Sequence, residues 1–323
     1  MAYRGTSVTV PDPNLTGIMV QRMYNEEAFA WQHLMPPLMT RQIAGPYYKY
    51  DKARAHMVYE TKKIRGAAAN HAMGEITQDS FACVQHMFRS PIDRGEAATF
   101  GDYFSLRNLA IEDVRANLNR VIERDFINTI INNTNFPLSG YTGLTVAATW
   151  SGASGTPITD MNTAREAFRA RGVEPGNNLV MAISQKCFDG LGSNPEIINR
   201  VKYTYGGVIE GVLPVKAIES ALGLKKLVVE GSRINTANDG ATASFSPQLG
   251  VGDAFVAVVD NGPDTRPWQM GRTFMWTGKT GAGIAATEYP DDHADADWVQ
   301  AEWWWQLKLM STDCGFRFAS VAA

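Results

Sequence analysis

The strongest hydrophobic pattern in the chain runs from Phe104 to Asn133, FSLRNLAIEDVRANLNRVIERDFINTIINN, without a glycine or a proline. Leu106, Leu109, Ala110, Val114, Leu118, Val121, Ile122, Phe126, Ile127, Ile130 and Ile131 recur at helical steps and predict one core-facing stripe. Arg107, Glu112, Asp113, Arg115, Asn119, Arg120, Glu123 and Arg124 fall on the other side, a flank that is solvated or pressed against a polar neighbour. At a rise of about 1.5 Å per residue such a helix spans roughly 40 Å, enough to brace separate parts of one subunit. Ser105 or Asp102 can cap its start, and Asn132, Asn133 and Pro137 end it.

The segments before this helix carry a different pattern. Residues 1–14 are polar and contain Pro11 and Pro13, which predicts an extended arm that needs a neighbour to lie on. Ile18, Met19, Met23, Phe29 and Trp31 predict a short helix between Thr16 and Leu34, stopped by Pro36-Pro37. Two strand-like runs follow, one marked by Tyr48, Tyr50, Met57, Tyr59 and Ile64, the other by Ile76, Phe81, Cys83, Val84 and Met87. They flank the small-residue tip RGAAANHAMG, so residues 47–92 read as a long two-stranded excursion. A hairpin without a second layer is only marginally stable, so this one must rest on another subunit or on the long helix.

After the helix comes a turn-rich passage, 137–155, holding Trp150, and then a helix from Thr156-Pro157 to Arg171 with Gly172 past its end. The pattern then becomes α/β over 173–262. NNLVMAIS, KKLVVEG and DAFVAVVD are buried strands, with short helices over Ser184–Leu191, Asn194–Tyr203 and Pro214–Leu222. RINTANDGATASFSPQLG, within 232–250, reads as a surface loop. In WVQAEWWWQLKLM, from Trp298, Val299, Ala301, Trp303, Trp305, Leu307 and Leu309 alternate with polar residues and predict a long strand, which GFRFASV should pair with.

Composition narrows the function. Thirty basic and 33 acidic side chains leave a formal charge of −3, which argues against a dedicated nucleic-acid binder and leaves room only for local contact. Cys83, Cys187 and Cys314 are widely spaced and read as reduced, packed thiols. The apolar runs are far shorter than the roughly 20 residues a membrane span needs, and MAYRGTSVTVPDPN lacks a signal-peptide core. Catalytic, cofactor-binding and metal sites are all expected to be absent. GAGIAA at 281–286 matches a dinucleotide fingerprint only formally, because TEYPDDHADAD and not an amphipathic helix follows it, and Glu302 falls in a strand. The GKT at 278–280 has Thr273 where a phosphate loop needs glycine. Asp291, His293, Asp295, Asp297 and Glu302 echo a calcium loop, but Ala296 takes the obligatory glycine's place, so a solvated acidic loop is expected. His33, His56, His71, His86 and His293 share no metal-ligand spacing. Trp303 and Trp305 point to the core, and Trp304 to the opposite face.

Arm, charged hairpin, long helix, small helix after TPITD, α/β insertion and closing strands form an order that resembles tailed-phage major capsid proteins of the Hong Kong 97 type. FACVQHMFRSPIDRGE resembles the end of that family's extended loop, and RDFINTIINNTNF the end of its spine helix. GNNLVMAISQKCFDGLGSNPEIINRVKY resembles the entry to the axial domain, and VKAIESALGLKKLVVEGSRINT followed by GDAFVAVVD its final helix and strands. The resemblance implies an α+β fold with an N-terminal arm (1–46), an extended β-hairpin loop (47–95) and a spine helix with the first part of the peripheral domain (96–172). The α/β axial domain would be 173–262, and returning strands of the β-rich peripheral domain 263–323. It implies self-assembly through hexamers and pentamers into an icosahedral shell around double-stranded DNA, with scaffold, portal and decoration proteins as further partners and only non-specific contact with DNA. The location implied is the virion, after assembly in the host cytoplasm. Lys62 and Lys63 lie where some members form a crosslink, but no partner asparagine is identified. Three other readings stay open: an encapsulin-like nanocompartment shell, a nucleotide-using α/β enzyme, and another structural phage protein such as a decoration or tail component.

Overall fold

The computed structural model describes residues 29–50, 76–100, 105–205, 213–238, 240–260, 269–278, 280–281 and 283–322. The extended arm of 1–14, the hairpin tip, and Lys62 and Lys63 lie outside the described residues. The long helix is present as predicted and slightly shorter. In chain order the elements before it are helix α1 (Trp31–Leu34), strands β1 (Pro37–Thr40), β2 (Ala44–Tyr50), β3 (Ile76–Ala82) and β4 (Val84–Asp93), and helix α2 (Arg94–Phe100). The spine helix is α3 (Leu106–Ile130); the Ser105 side chain accepts from the Asn108 N–H and so satisfies one of the donors a helix start leaves open.

Beyond it come β5 (Gly143–Thr145), α4 (Pro157–Ala170), β6 (Leu179–Ser184), α5 (Gln185–Ser193), α6 (Pro195–Tyr205), α7 (Val215–Leu222) and β7 (Lys226–Glu230). The chain continues through β8 (Arg233–Asn235), β9 (Phe245–Pro247), β10 (Ala254–Val258), β11 (Gly271–Trp276), β12 (Ile284–Asp291), β13 (Ala296–Leu309) and β14 (Gly315–Ala319). Within the stretch expected to be only a surface loop, β8 and β9 pair as a short hairpin.

Two five-stranded sheets organise the molecule. One runs β5-β14-β10-β6-β7; β6 and β10 are buried at every position, which explains why their sequences are unbroken apolar runs rather than alternating ones. The other is built on β13, flanked by β4, β11 and β12, with β1 parallel to β11. The sequence places GFRFASV beside the long strand, and the structure does not. A 3₁₀ turn at Thr312–Cys314 redirects the chain, and β14 pairs antiparallel with β10 and parallel with β5, inside the first sheet. Phe316 and Phe318 are fully buried there, and Gly315 passes between Phe136 and Phe255 where a Cβ has no room. The α/β unit is therefore closed by strands from outside 173–262.

Candidate functional site

The segment that carries α1 is fastened to the spine. Glu123 accepts the backbone N–H of Ala30 at Oε1 and of Trp31 at Oε2, both at 3.0 Å, where the first turn of α1 leaves its donors open. Trp31 then meets Trp303 edge to face, with centroids 5.9 Å apart, and Thr273 Oγ1 donates to the Met35 carbonyl at 2.8 Å. Phe29, Trp31, Leu34 and Met35 join the main core of their own subunit.

This corrects the reading of the spine's flank. Glu123 and Asn119, placed on the polar flank, are fully buried, whereas Leu109, assigned to the core, is half exposed. The buried stripe is wider than a single polar flank allows: Asn119 and Glu123 follow the core positions Leu118 and Ile122 by one residue, and α1 lands on Glu123. A second carboxyl, Glu230 at the end of β7, is also buried. Burial pushes the Glu123 carboxyl up to about 8, against the pull of the two N–H groups, and the charge of Glu230 adds to the rise. Burial likewise raises Glu230 to about 7, opposed by the nearby N–H groups of Ser232 and Leu249 and by Arg233. Burial thus favours the protonated form of both carboxyls over what exposed ones would adopt.

The base of the hairpin is fastened separately. Phe81 stacks on Phe274 at 4.4 Å, and Tyr47 and Cys83 complete a small second core with them. Tyr47 Oη and Lys49 Nζ both donate to Asp79, at 2.7 and 2.8 Å, which hold its carboxyl well below the usual range. Next in the chain, β4 pairs with β13 from Val84↔Trp305 to Asp93↔Ala296. Its side chains Val84 and Met87 remain more than half exposed, as does Tyr48 on β2. Trp304, on the face away from Trp303 and Trp305, lies against Trp276 at 5.2 Å beside the hairpin's small core.

The sequence motifs resolve into structure. GAGIAA leads into β12, a strand, and so presents no helix N-terminus to a dinucleotide. The acidic loop is the β12–β13 turn, with Asp295 in the left-handed region at φ 46°. Arg94 reaches Asp292, Asp295 and Asp297 at 3.1, 3.5 and 3.0 Å, so a guanidinium sits where a calcium loop would hold its ion. Among the described residues no group of three or more His, Cys, Asp or Glu is arranged for a metal. Of the histidines, His86 stacks on Trp305 at 3.6 Å, and burial lowers its pKa. All three cysteines are buried free thiols. No described helix is long and apolar enough to cross a membrane.

A two-sheet subunit with a spine helix laid along it and a two-stranded hairpin base fastened to the β13 sheet has the Hong Kong 97-type capsid fold. No protein-family model matches the sequence. The major capsid protein of Pseudomonas phage JBD67 is 21% identical over 276 residues, 85% of each chain. A phage-related protein from Bordetella bronchiseptica RB50 superposes with a TM-score of 0.70 at 19% identity, over 97% of this chain and 98% of that one. The capsid structure of cyanophage P-SCSP1u gives 0.58 at 11% identity, over 100% and 93%.

Proposed function

We infer that this chain is the shell-forming major capsid protein of a tailed phage, with a structural rather than a catalytic role. The observation that carries this is the coincidence of a capsid fold along the whole chain with sequence similarity, over most of it, to a protein named major capsid protein. Physical features support it. The hairpin base and β4 leave Tyr48, Val84 and Met87 exposed, so a neighbour covering them would stabilise an assembly rather than a monomer. In this reading 1–46 is the arm, 47–95 the extended loop, 96–172 the spine and first peripheral part, 173–262 the axial domain and 263–323 the returning strands. Copies meet as hexamers and pentamers of an icosahedral shell around double-stranded DNA, with scaffold, portal and decoration proteins as further partners. Assembly takes place in the host cytoplasm.

Electron microscopy of the expressed protein, alone and with its neighbouring gene products, tests this. Closed shells of uniform diameter that package DNA are the expected result. Shells of the same fold filled with an enzyme would instead make it a nanocompartment, and a protein that stays monomeric under every such condition would end the shell reading.

A further inference from the structure

Several arginines of this molecule lie within ion-pair distance of carboxylates. Arg94 serves three aspartates, Arg107 meets Glu288, Arg169 meets Glu166 and Glu174, and Arg317 meets Asp253. One groove gathers three arginines with fewer acids around them. Between the outer flank of α3 and the β8–β9 hairpin lies a cleft of about 440 Å³ lined by Arg120, Arg124, Arg233, Asn117, Asn235 and Phe245, together with two aliphatic side chains and, among the described residues, no carboxylate. Arg120 and Arg124 stand one helical turn apart on the same face, a like-charge arrangement that disfavours an isolated helix. Arg124 makes one long ion pair, with Asp125 at 3.8 Å. The Oδ1 of Asn235 already accepts from Ala237 and Ser244, so the free capacity of that amide is its donor end. Phe245 is 65% exposed.

We propose that this arginine groove binds the phosphate backbone of the nucleic acid enclosed by the shell. Three guanidinium groups offer the paired, planar donors that suit phosphate oxygens. The amides add neutral donors, and Phe245 gives sugar edges an apolar wall. A chain with a net charge of −3 carries no field strong enough to attract DNA as a whole; a local cluster whose three guanidinium groups outnumber the carboxylates beside them, Asp125 and Glu230, can still hold it. An acidic segment of another copy is the competing occupant. The acidic turn of this chain is less suited to that role, because Arg94 already occupies three of its aspartates. The proposal rests on the capsid reading for the source of the nucleic acid, but its test does not.

The test titrates full-length protein against a fluorescein-labelled 30-base-pair duplex of mixed sequence, by anisotropy, between 50 and 300 mM NaCl. Each phosphate neutralised contributes about −0.9 to the slope of log K against log salt, so three contribute about −2.7. The triple variant Arg120→Gln, Arg124→Gln, Arg233→Gln should therefore bind with a slope shallower by about two to three. A control triple, Arg169→Gln, Lys186→Gln, Lys202→Gln, should keep the slope of the unaltered protein. Thermal melting of both variants shows whether each is folded, and the single variant Arg124→Gln, with an expected slope change of about one, serves if the triple is not. Equal loss in both triples, or no loss in the groove variants, overturns the proposal, and tighter competition by polyglutamate than by unlabelled duplex reassigns the groove to acidic side chains. Micrographs of the unaltered protein separate the two readings: shells with an unchanged slope sink the groove alone, and a changed slope without shells sinks the capsid reading alone.

Discussion

Glu123 shows how one side chain can join two parts of a chain that are 92 residues apart. Its folded carboxyl titrates near 8 against an ordinary 4.5, so the folded state holds a proton that the unfolded state releases between those values. The stabilisation from that proton is complete below about 4.5 and is lost as the pH rises through about 8, with a slope of at most about 1.4 kcal/mol per pH unit for one proton. Denaturant melts between pH 5.5 and 8 should show stability falling with pH. Glu123→Gln should flatten that slope, leaving the share of Glu230, and parallel slopes would remove Glu123 from the account. Glu123→Ala orphans two buried N–H groups and should lower stability at all pH values, by about 1–3 kcal/mol for each donor. Arg317, only slightly exposed, ties Asp253 to the Ile131 carbonyl and Asn133 at the end of the spine. Truncating it to alanine should cost about 1.5–3 kcal/mol, read as a drop in Tm. None of this was legible in the sequence, because a charged residue one position off an apolar stripe reads as solvated until something is known to land on it.

At the scale of elements the sequence was more readable. The spine, α4, β6, α5, α6, α7, β7, β10 and β13 all fall where periodicity and punctuation put them, since each is a local pattern. The pairing of β14 was not readable: GFRFASV has the alternation of any strand, and a 3₁₀ turn of three residues decides which sheet receives it. The exposed side chains of β4 lead to an assembly prediction. Met87→Lys or Val84→Lys should leave the melting of the isolated subunit within about 0.5 kcal/mol, as surface substitutions do, yet sharply reduce the yield of particles counted by microscopy. Normal yield from both variants would mean that this face is not covered by a neighbour. Phe274→Ala, by contrast, removes a ring that both Phe81 and Tyr47 pack against and should destabilise the subunit itself by about 3–5 kcal/mol.

For the whole molecule, the order of elements carried more than any motif: the capsid fold was legible from that order, while GAGIAA ran into a strand and the acidic cluster formed the turn between β12 and β13. The cysteines offer a simple check on the integrity of the whole fold. Burial pushes Cys83 up to about 11 and Cys187 up to about 12, and thiols held that far from thiolate react slowly. Native protein should give almost no colour with a disulfide reagent, and three thiols after unfolding; rapid labelling of the native form would contradict the packing described. The position of β14 has a further consequence. As the second strand of its sheet, between β5 and β10, it fills a slot that stays open while the ribosome is still delivering residues 315–319. A nascent chain thus carries a bare β10 edge until residues 315–319 emerge and pair with it.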